Sequence, residues 1–116
     1  ASGLFLLGAG LTLLTASQRA NRFFEAYVRL QSEFGHRPID HGPYARLRHP
    51  GYLSYLLIFA SGPCLLASNW AWGGVALCLV LFVLRIVFEE GFLRQHLEGY
   101  AEYCRRVRYR LIPGLW

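Results

Sequence analysis

GYLSYLLIFASGPCLLASNWAWGGVALCLVLFVL, residues 51–84, is a run of 34 residues without one Asp, Glu, Arg, Lys or His. A single straight helix of that length would measure about 51 Å, against a bilayer hydrocarbon core of about 30 Å. The run must therefore fold back on itself. Two interruptions compete for the turn, Gly62-Pro63 and Ser68-Asn69-Trp70. Only the second leaves two arms of near-spanning length, 51–67 and 70–88, with Asn69 placed to cap the second arm and Pro63 left as a kink in the first. Trp70 and Trp72 beside the turn suit an interfacial aromatic belt, or serve simply as lipid-facing bulk.

The rest of the chain agrees with this hairpin. Of 116 residues, 54% are hydrophobic and 16% charged, whereas a globular chain carries roughly a quarter charged residues; mean hydropathy is +0.29. Every Arg, Asp and Glu falls between Arg19 and Asp40, between Arg46 and Arg48, or between Arg85 and Arg110. Such a distribution excludes a disordered chain, a disulfide scaffold and an ordinary soluble core. It leaves an all-α integral membrane protein with about three transmembrane helices, one at 2–19 followed by the hairpin at 51–67 and 70–88, all in a single membrane-embedded domain 1–116. In the first span Gly8 and Gly10 permit close helix contact. The chain starts at Ala1 inside a hydrophobic segment, without Met or the basic leader of a signal peptide, so a chain trimmed at its N-terminus, with spans missing, is expected.

All of the +5 net charge is carried by Arg, twelve residues with no Lys. In a membrane context this marks a cytoplasmic face before it marks a nucleic-acid footprint, so membrane lipids are the expected partners and nucleic acid is not. The positive-inside bias puts 20–50 and 89–116 together in the cytoplasm. The first of these segments, through VRLQSEFGHRPIDHGPY, reads as a loop with a two-strand turn. The second reads as an amphipathic helix, EEGFLRQHLEGYAEYCRRV, continuing the second hairpin arm until Pro113 stops regular structure. Cys64, Cys78 and Cys104 have no metal or disulfide spacing and read as packing residues. His36, His41, His49 and His96 form no i, i+4 pair, so no metal site is expected.

Two places can carry chemistry. Arg85 and Glu89, four residues apart where a helix leaves the membrane, share a face and are costly to place there, which marks them as functional or as a snorkelling arginine with its electrostatic partner. The adjacent Glu90 points elsewhere and reads as a solvated residue. Arg-His-Pro-Gly-Tyr at 48–52 stands where the loop enters the membrane: Pro50 fixes the entry, Gly51 leaves backbone open to a ligand, and His49 and Tyr52 offer a polar ring and an aromatic face.

GHRPIDHGPYARLRHPGY, then a hydrophobic hairpin, RIVFEE and GYAEYCRRVRYRLIPGLW, together resemble the isoprenylcysteine carboxyl methyltransferase family and its phospholipid-methylating relatives over about residues 20–116. That resemblance implies S-adenosylmethionine at the cytosolic face and a lipophilic substrate between the helices. It assigns Gln31, His36, Arg37, Pro38, Ile39 and Tyr44 to one wall of the cofactor pocket. His49, Pro50, Gly51 and Tyr52 form the second wall, Glu89 binds cofactor, and Arg85 orients the acceptor carboxylate. The family often has Leu-Val where Pro38-Ile39 stand, and Gly where Ser54 stands. For an amine acceptor in place of a carboxylate, Glu90 or His49 becomes a candidate base.

Two other readings compete. YCRRVRYRLIP with HPGYL also resembles the C-terminal half of NADPH-binding membrane sterol reductases, and an Arg-anchored, non-catalytic membrane adaptor would explain the charge map but not the ordered motifs. The expected setting of the enzyme reading is a multi-pass protein of a bacterial inner membrane with its site on the cytoplasmic face. The sequence is silent on oligomeric state.

Overall fold

The structure, a computed structural model, describes residues 2–21 and 38–116. Its regular elements among these residues are all helical: α1 (Ser2–Ala20), a 3-10 turn at Gly42–Ala45, α2 (Pro50–Leu66), α3 (Ala71–His96) and α4 (Tyr100–Arg106). Most of the expected two-strand turn, and with it Gln31, His36 and Arg37, lies outside the described residues.

The turn of the hairpin falls where the length argument put it. Helix α2 ends at Leu66, Ala67 takes a left-handed conformation with φ 52°, and the Ser68 amide reaches back to the Pro63 carbonyl at 3.1 Å. Asn69 does not cap α3 through its side chain; Trp70 is the N-cap, and it is the Asn69 backbone carbonyl that takes the Trp72 amide at 3.3 Å. Pro63 lies inside α2, as expected.

Helices α1 and α2 run antiparallel, because Gly3 meets Leu65 while Gly10 meets Ile58 and Ser54. The buried residues of α1 are Gly3, Gly10 and Ser17, a stripe with a seven-residue step that keeps one small residue per two turns on the same face. A Cβ at Gly10 would stand 2.7 Å from Ile58 Cγ1 and 3.0 Å from the Ser54 carbonyl oxygen, so only glycine allows this approach. The expectation for Gly8 is corrected: nothing lies within 4 Å of a Cβ there, because two residues turn a helix by about 200° and carry Gly8 to the far side from Gly10. Ser54 and Ser61 supply the matching small surface on α2. Ser17, Ser54 and Ser61 each donate their hydroxyl to a carbonyl of their own helix, so no polar atom is stranded in the seam.

Helix α3 is the one helix among the described residues that is both long and apolar enough to cross a membrane; α2 is apolar but shorter. Its outward face stays bare, with Leu77, Leu81, Leu84, Val87 and Phe88 all exposed, as lipid contact requires and a soluble core does not. Its inner face packs on α2 through Leu56 and Ile86, with Tyr52, Cys78 and Phe82 alongside and Leu111 folded in from the tail.

The expected continuous helix from Glu89 onward is also corrected. Regular structure breaks after His96, Gly99 turns the chain at φ 85°, and α4 begins at Tyr100. Gly99 is the reason: a left-handed residue that glycine adopts without steric cost lets the chain reverse onto itself. Leu97, Tyr100, Tyr103, Cys104 and Val107 thereby form a second apolar cluster. Past α4 the chain lies extended beside residues 47–49, with a parallel bridge between Leu47 and Tyr109 and with the Arg48 and His49 amides donating to the Tyr109 and Arg110 carbonyls, each at 2.9 Å.

Candidate functional site

The head of α2, the charged end of α3 and the tail after α4 meet at one place. Pro50 opens α2 at a position where its missing amide would have had no helical partner anyway. This fixes His49 just outside the helix and Tyr52 on its first turn, facing α3.

Tyr52 is the centre of the assigned residues. Its hydroxyl donates to Glu89 Oε2 at 2.7 Å, the short separation of a charge-assisted bond. The Arg85 guanidinium carbon lies 5.7 Å from the Tyr52 ring centroid, and the His49 ring lies at the same centroid distance from it. The Tyr52 ring also packs against Phe82, with centroids 5.2 Å apart. Arg85 and Glu89, expected to meet each other, thus both meet Tyr52, and both are half-buried.

Behind this cluster lies a buried one that the sequence reading missed. Glu90, expected to be solvated, is 3% exposed. It accepts both contacts of Arg48 Nη1, at 3.1 and 3.2 Å, sits 3.0 Å from His49 Nε2 through Oε2, and pairs with Arg110 Nε at 2.9 Å through Oε1. The physical reason is that Arg48 is itself buried and needs an anion. Its remaining donors are taken by the Val107 carbonyl at 2.7 Å and the Cys104 carbonyl at 2.9 Å. Removing one partner of such a buried set leaves uncompensated charge, which costs about 3–5 kcal/mol. The one signal in the sequence was the double acid Glu89-Glu90 in a chain with an Arg-His pair just before another apolar run and no Lys. As a base for an amine acceptor Glu90 is poorly suited: burial alone would raise its pKa, but the contacts with His49 and Arg48 outweigh it and hold the carboxyl down at about 2, too low to take up a proton readily.

Tyr44 and Tyr103 support the wall from the loop side. Tyr103 donates its hydroxyl to the Tyr44 carbonyl at 2.7 Å and to the Leu47 carbonyl at 3.3 Å, and Asn21 donates to the Tyr44 hydroxyl at 3.2 Å. Burial pushes the Tyr44, Tyr100 and Tyr103 phenols above their ordinary pKa, so they remain protonated and able to donate. Pro38 lies against Gly99 at the reversal between α3 and α4, and Ile39 is half-buried next to it. Of the assigned residues the structure therefore brings His49, Tyr52, Arg85 and Glu89 together, with Pro50 and Gly51 buried at the head of α2. Tyr44, Pro38 and Ile39 are placed in the flanking loop.

This arrangement can do three things chemically: present aromatic faces to a cation, accept hydrogen bonds on a half-buried carboxylate, and hold an anion with a guanidinium. That set fits the sulfonium, amine and ribose hydroxyls of S-adenosylmethionine, and a guanidinium such as that of Arg85 is suited to pairing with an anion.

Comparison with known proteins gives the same direction. The Isoprenylcysteine carboxyl methyltransferase (ICMT) family model matches residues 2–95. The chain is 41% identical over 92 residues to a protein of Oryza sativa subsp. indica named probable protein-S-isoprenylcysteine O-methyltransferase, covering 76% of this chain and 47% of that protein. It is 32% identical over 97 residues to protein-S-isoprenylcysteine O-methyltransferase B of Arabidopsis thaliana, covering 80% and 48% respectively, and 34% identical over 92 residues to the A form, covering 76% and 46%. The chain thus spans about half the length of these relatives, and as plant proteins they lend no support to a bacterial membrane. No solved structure matches it significantly. With the family model spanning most of the sequence, the chain belongs to the isoprenylcysteine carboxyl methyltransferase family.

Proposed function

We propose that this chain is a membrane-embedded methyltransferase domain that uses S-adenosylmethionine to methylate a lipophilic acceptor, the carboxylate of an isoprenylcysteine-like group. The observation that carries the reading is the convergence of His49, Tyr52, Arg85 and Glu89, from two helices, around one half-buried phenol–carboxylate bond. In this reading α1, α2 and the apolar part of α3 are three spans of one membrane-embedded domain. The turn at Ser68 and Asn69 faces away from the cytoplasm, and residues 20–50 and 89–116 build the site on the cytoplasmic face.

When bound, S-adenosylmethionine supplies an electrophilic methyl group on a sulfonium. Each protein group then has a separable task. Glu89 accepts hydrogen bonds from the donor's amine or ribose hydroxyls, and Tyr52 holds that carboxylate in place while its ring, with Tyr44, faces positive charge. His49, Pro50 and Gly51 form the wall beside it, and Gln31, His36, Arg37, Pro38 and Ile39 are assigned to binding the same donor. Arg85 orients the acceptor carboxylate. An acceptor carboxyl with a pKa near 4 is already ionised at neutral pH, so no general base is required. Alignment and exclusion of water supply the acceleration, of which orientation alone is worth about 7–11 kcal/mol.

The test is titration of the detergent-solubilised protein with S-adenosylmethionine and, separately, NADPH. Saturable binding of the first alone supports the reading. Binding of NADPH alone points to a reductase, and binding of neither points to a membrane adaptor.

A further inference from the structure

The second shared feature of the site, the buried Glu90 cluster, joins three segments that are far apart in sequence. Arg48 and His49 come from the entry to α2, Glu90 from α3, and Arg110 from the tail, beyond the family match, which ends at residue 95. Trp116 closes the arrangement from outside: the Arg110 guanidinium lies 4.9 Å from its ring centroid, and its carbonyl oxygen takes the Arg110 and Leu111 amides. A carboxylate accepts hydrogen bonds and does not donate them, so the His49 nitrogen facing Glu90 at 3.0 Å must carry the proton. That leaves Nδ1 as the ring nitrogen whose proton is not dictated by Glu90. On the backbone, the tail also takes the Arg48 and His49 amides directly.

We propose that Glu90 is a positioning residue: it fixes the His49 ring with Nε2 protonated and, through Arg110, straps residues 107–112 onto the head of α2, so that the wall formed by His49 and Tyr52 is assembled only with the strap in place. Glu90 does this without touching the ligand. Its role is distinct from that of Glu89, one residue away but about 100° around the helix, whose carboxylate is bound to Tyr52 instead.

Two variants of the full chain test this in detergent. In Glu90→Gln the amide can donate or accept, so the tautomer is no longer imposed. Nitrogen NMR of histidine-labelled protein, with His49 assigned by the loss of its signals in His49→Gln, is expected to show Nε2 protonated in the parent and a growing population with unprotonated Nε2 in Glu90→Gln. Arg110→Gln keeps the His49 contact and cuts only the strap. Hydrogen exchange at the Arg48 and His49 amides should then accelerate at least tenfold while the tautomer stays as in the parent. An unchanged tautomer in folded Glu90→Gln, or unchanged exchange at these amides in Arg110→Gln, overturns the proposal. Should Glu90→Gln not fold, the exchange experiment on Arg110→Gln decides alone. Only the affinity arm rests on the methyl-donor reading: Glu90→Gln should weaken S-adenosylmethionine binding about tenfold. A parent protein that binds no S-adenosylmethionine sinks that reading and leaves the tautomer and exchange results standing.

Discussion

Replacing Tyr52 by Phe and by Ala separates the two parts its side chain plays. The Phe variant loses one hydrogen bond, the 2.7 Å donation to Glu89, and keeps the ring. Bonds to a charged group are worth about 1.5–3 kcal/mol net when buried. Glu89 is only half-buried, so water replaces part of the lost donor, and the lower end, about 1.5 kcal/mol, applies. If Glu89 holds the donor as proposed, this corresponds to roughly tenfold weaker S-adenosylmethionine binding. The Ala variant loses the ring as well, with its contacts to Phe82 at 5.2 Å and to His49 and Arg85 at 5.7 Å. Each aromatic or cation–π contact is worth about 0.5–1.5 kcal/mol, which adds about another tenfold or more in affinity and a measurable loss of stability. The assay is calorimetric titration with S-adenosylmethionine beside thermal unfolding in the same detergent. Wild-type affinity in both folded variants would refute the placement of the donor at Tyr52. Equal losses in Phe and Ala would refute the claim that the ring faces the sulfonium.

The helix seam makes its own prediction: Gly10→Val should destabilise by about 1–3 kcal/mol or more because backbone atoms of α2 stand within 3.0 Å of the new Cβ, whereas Gly8→Ala should leave the melting temperature in detergent unchanged. Arg85→Ala should spare donor affinity and depress methyl transfer, while Glu89→Gln should weaken donor binding first; equal binding and turnover per folded molecule in both would reduce the pair to a helix-end contact. For topology, a cysteine introduced at position 69, in a background lacking Cys64, Cys78 and Cys104, should react with a membrane-impermeant reagent from the non-cytoplasmic side only.

What the sequence made legible was whatever a single length or period controls. The uncharged run from Gly51 to Leu84 exceeds one bilayer crossing, so a turn was required, and it lies between Leu66 and Ala71 as the arm lengths demanded. The cluster of Arg85, Glu89, Tyr52 and His49 was legible because Arg85 and Glu89 share a helix face and the hairpin returns α3 to the head of α2. The helix seam was half legible: Gly10 was found, but the seven-residue step through Gly3 and Ser17 was not, and Gly8 took its place. Glu90 was hidden because its burial is created by partners 42 and 41 residues away, Arg48 and His49, and by a tail whose return depends on the left-handed turn at Gly99. A helix reading that ran through Gly99 could not bring Arg110 back to Glu90. Long-range ion pairing of this kind has no local period to detect.

The most direct measurement of the central claim is transfer of isotopically labelled methyl from S-adenosylmethionine to a small farnesylated cysteine bearing a free carboxylate, with the carboxyl-blocked ester as control. The account predicts label in the free acid alone, released again by mild base as a methyl ester would be, and lost in Arg85→Ala although that variant still binds the donor. Label in the blocked ester, or no label from folded protein that binds the donor, would contradict it.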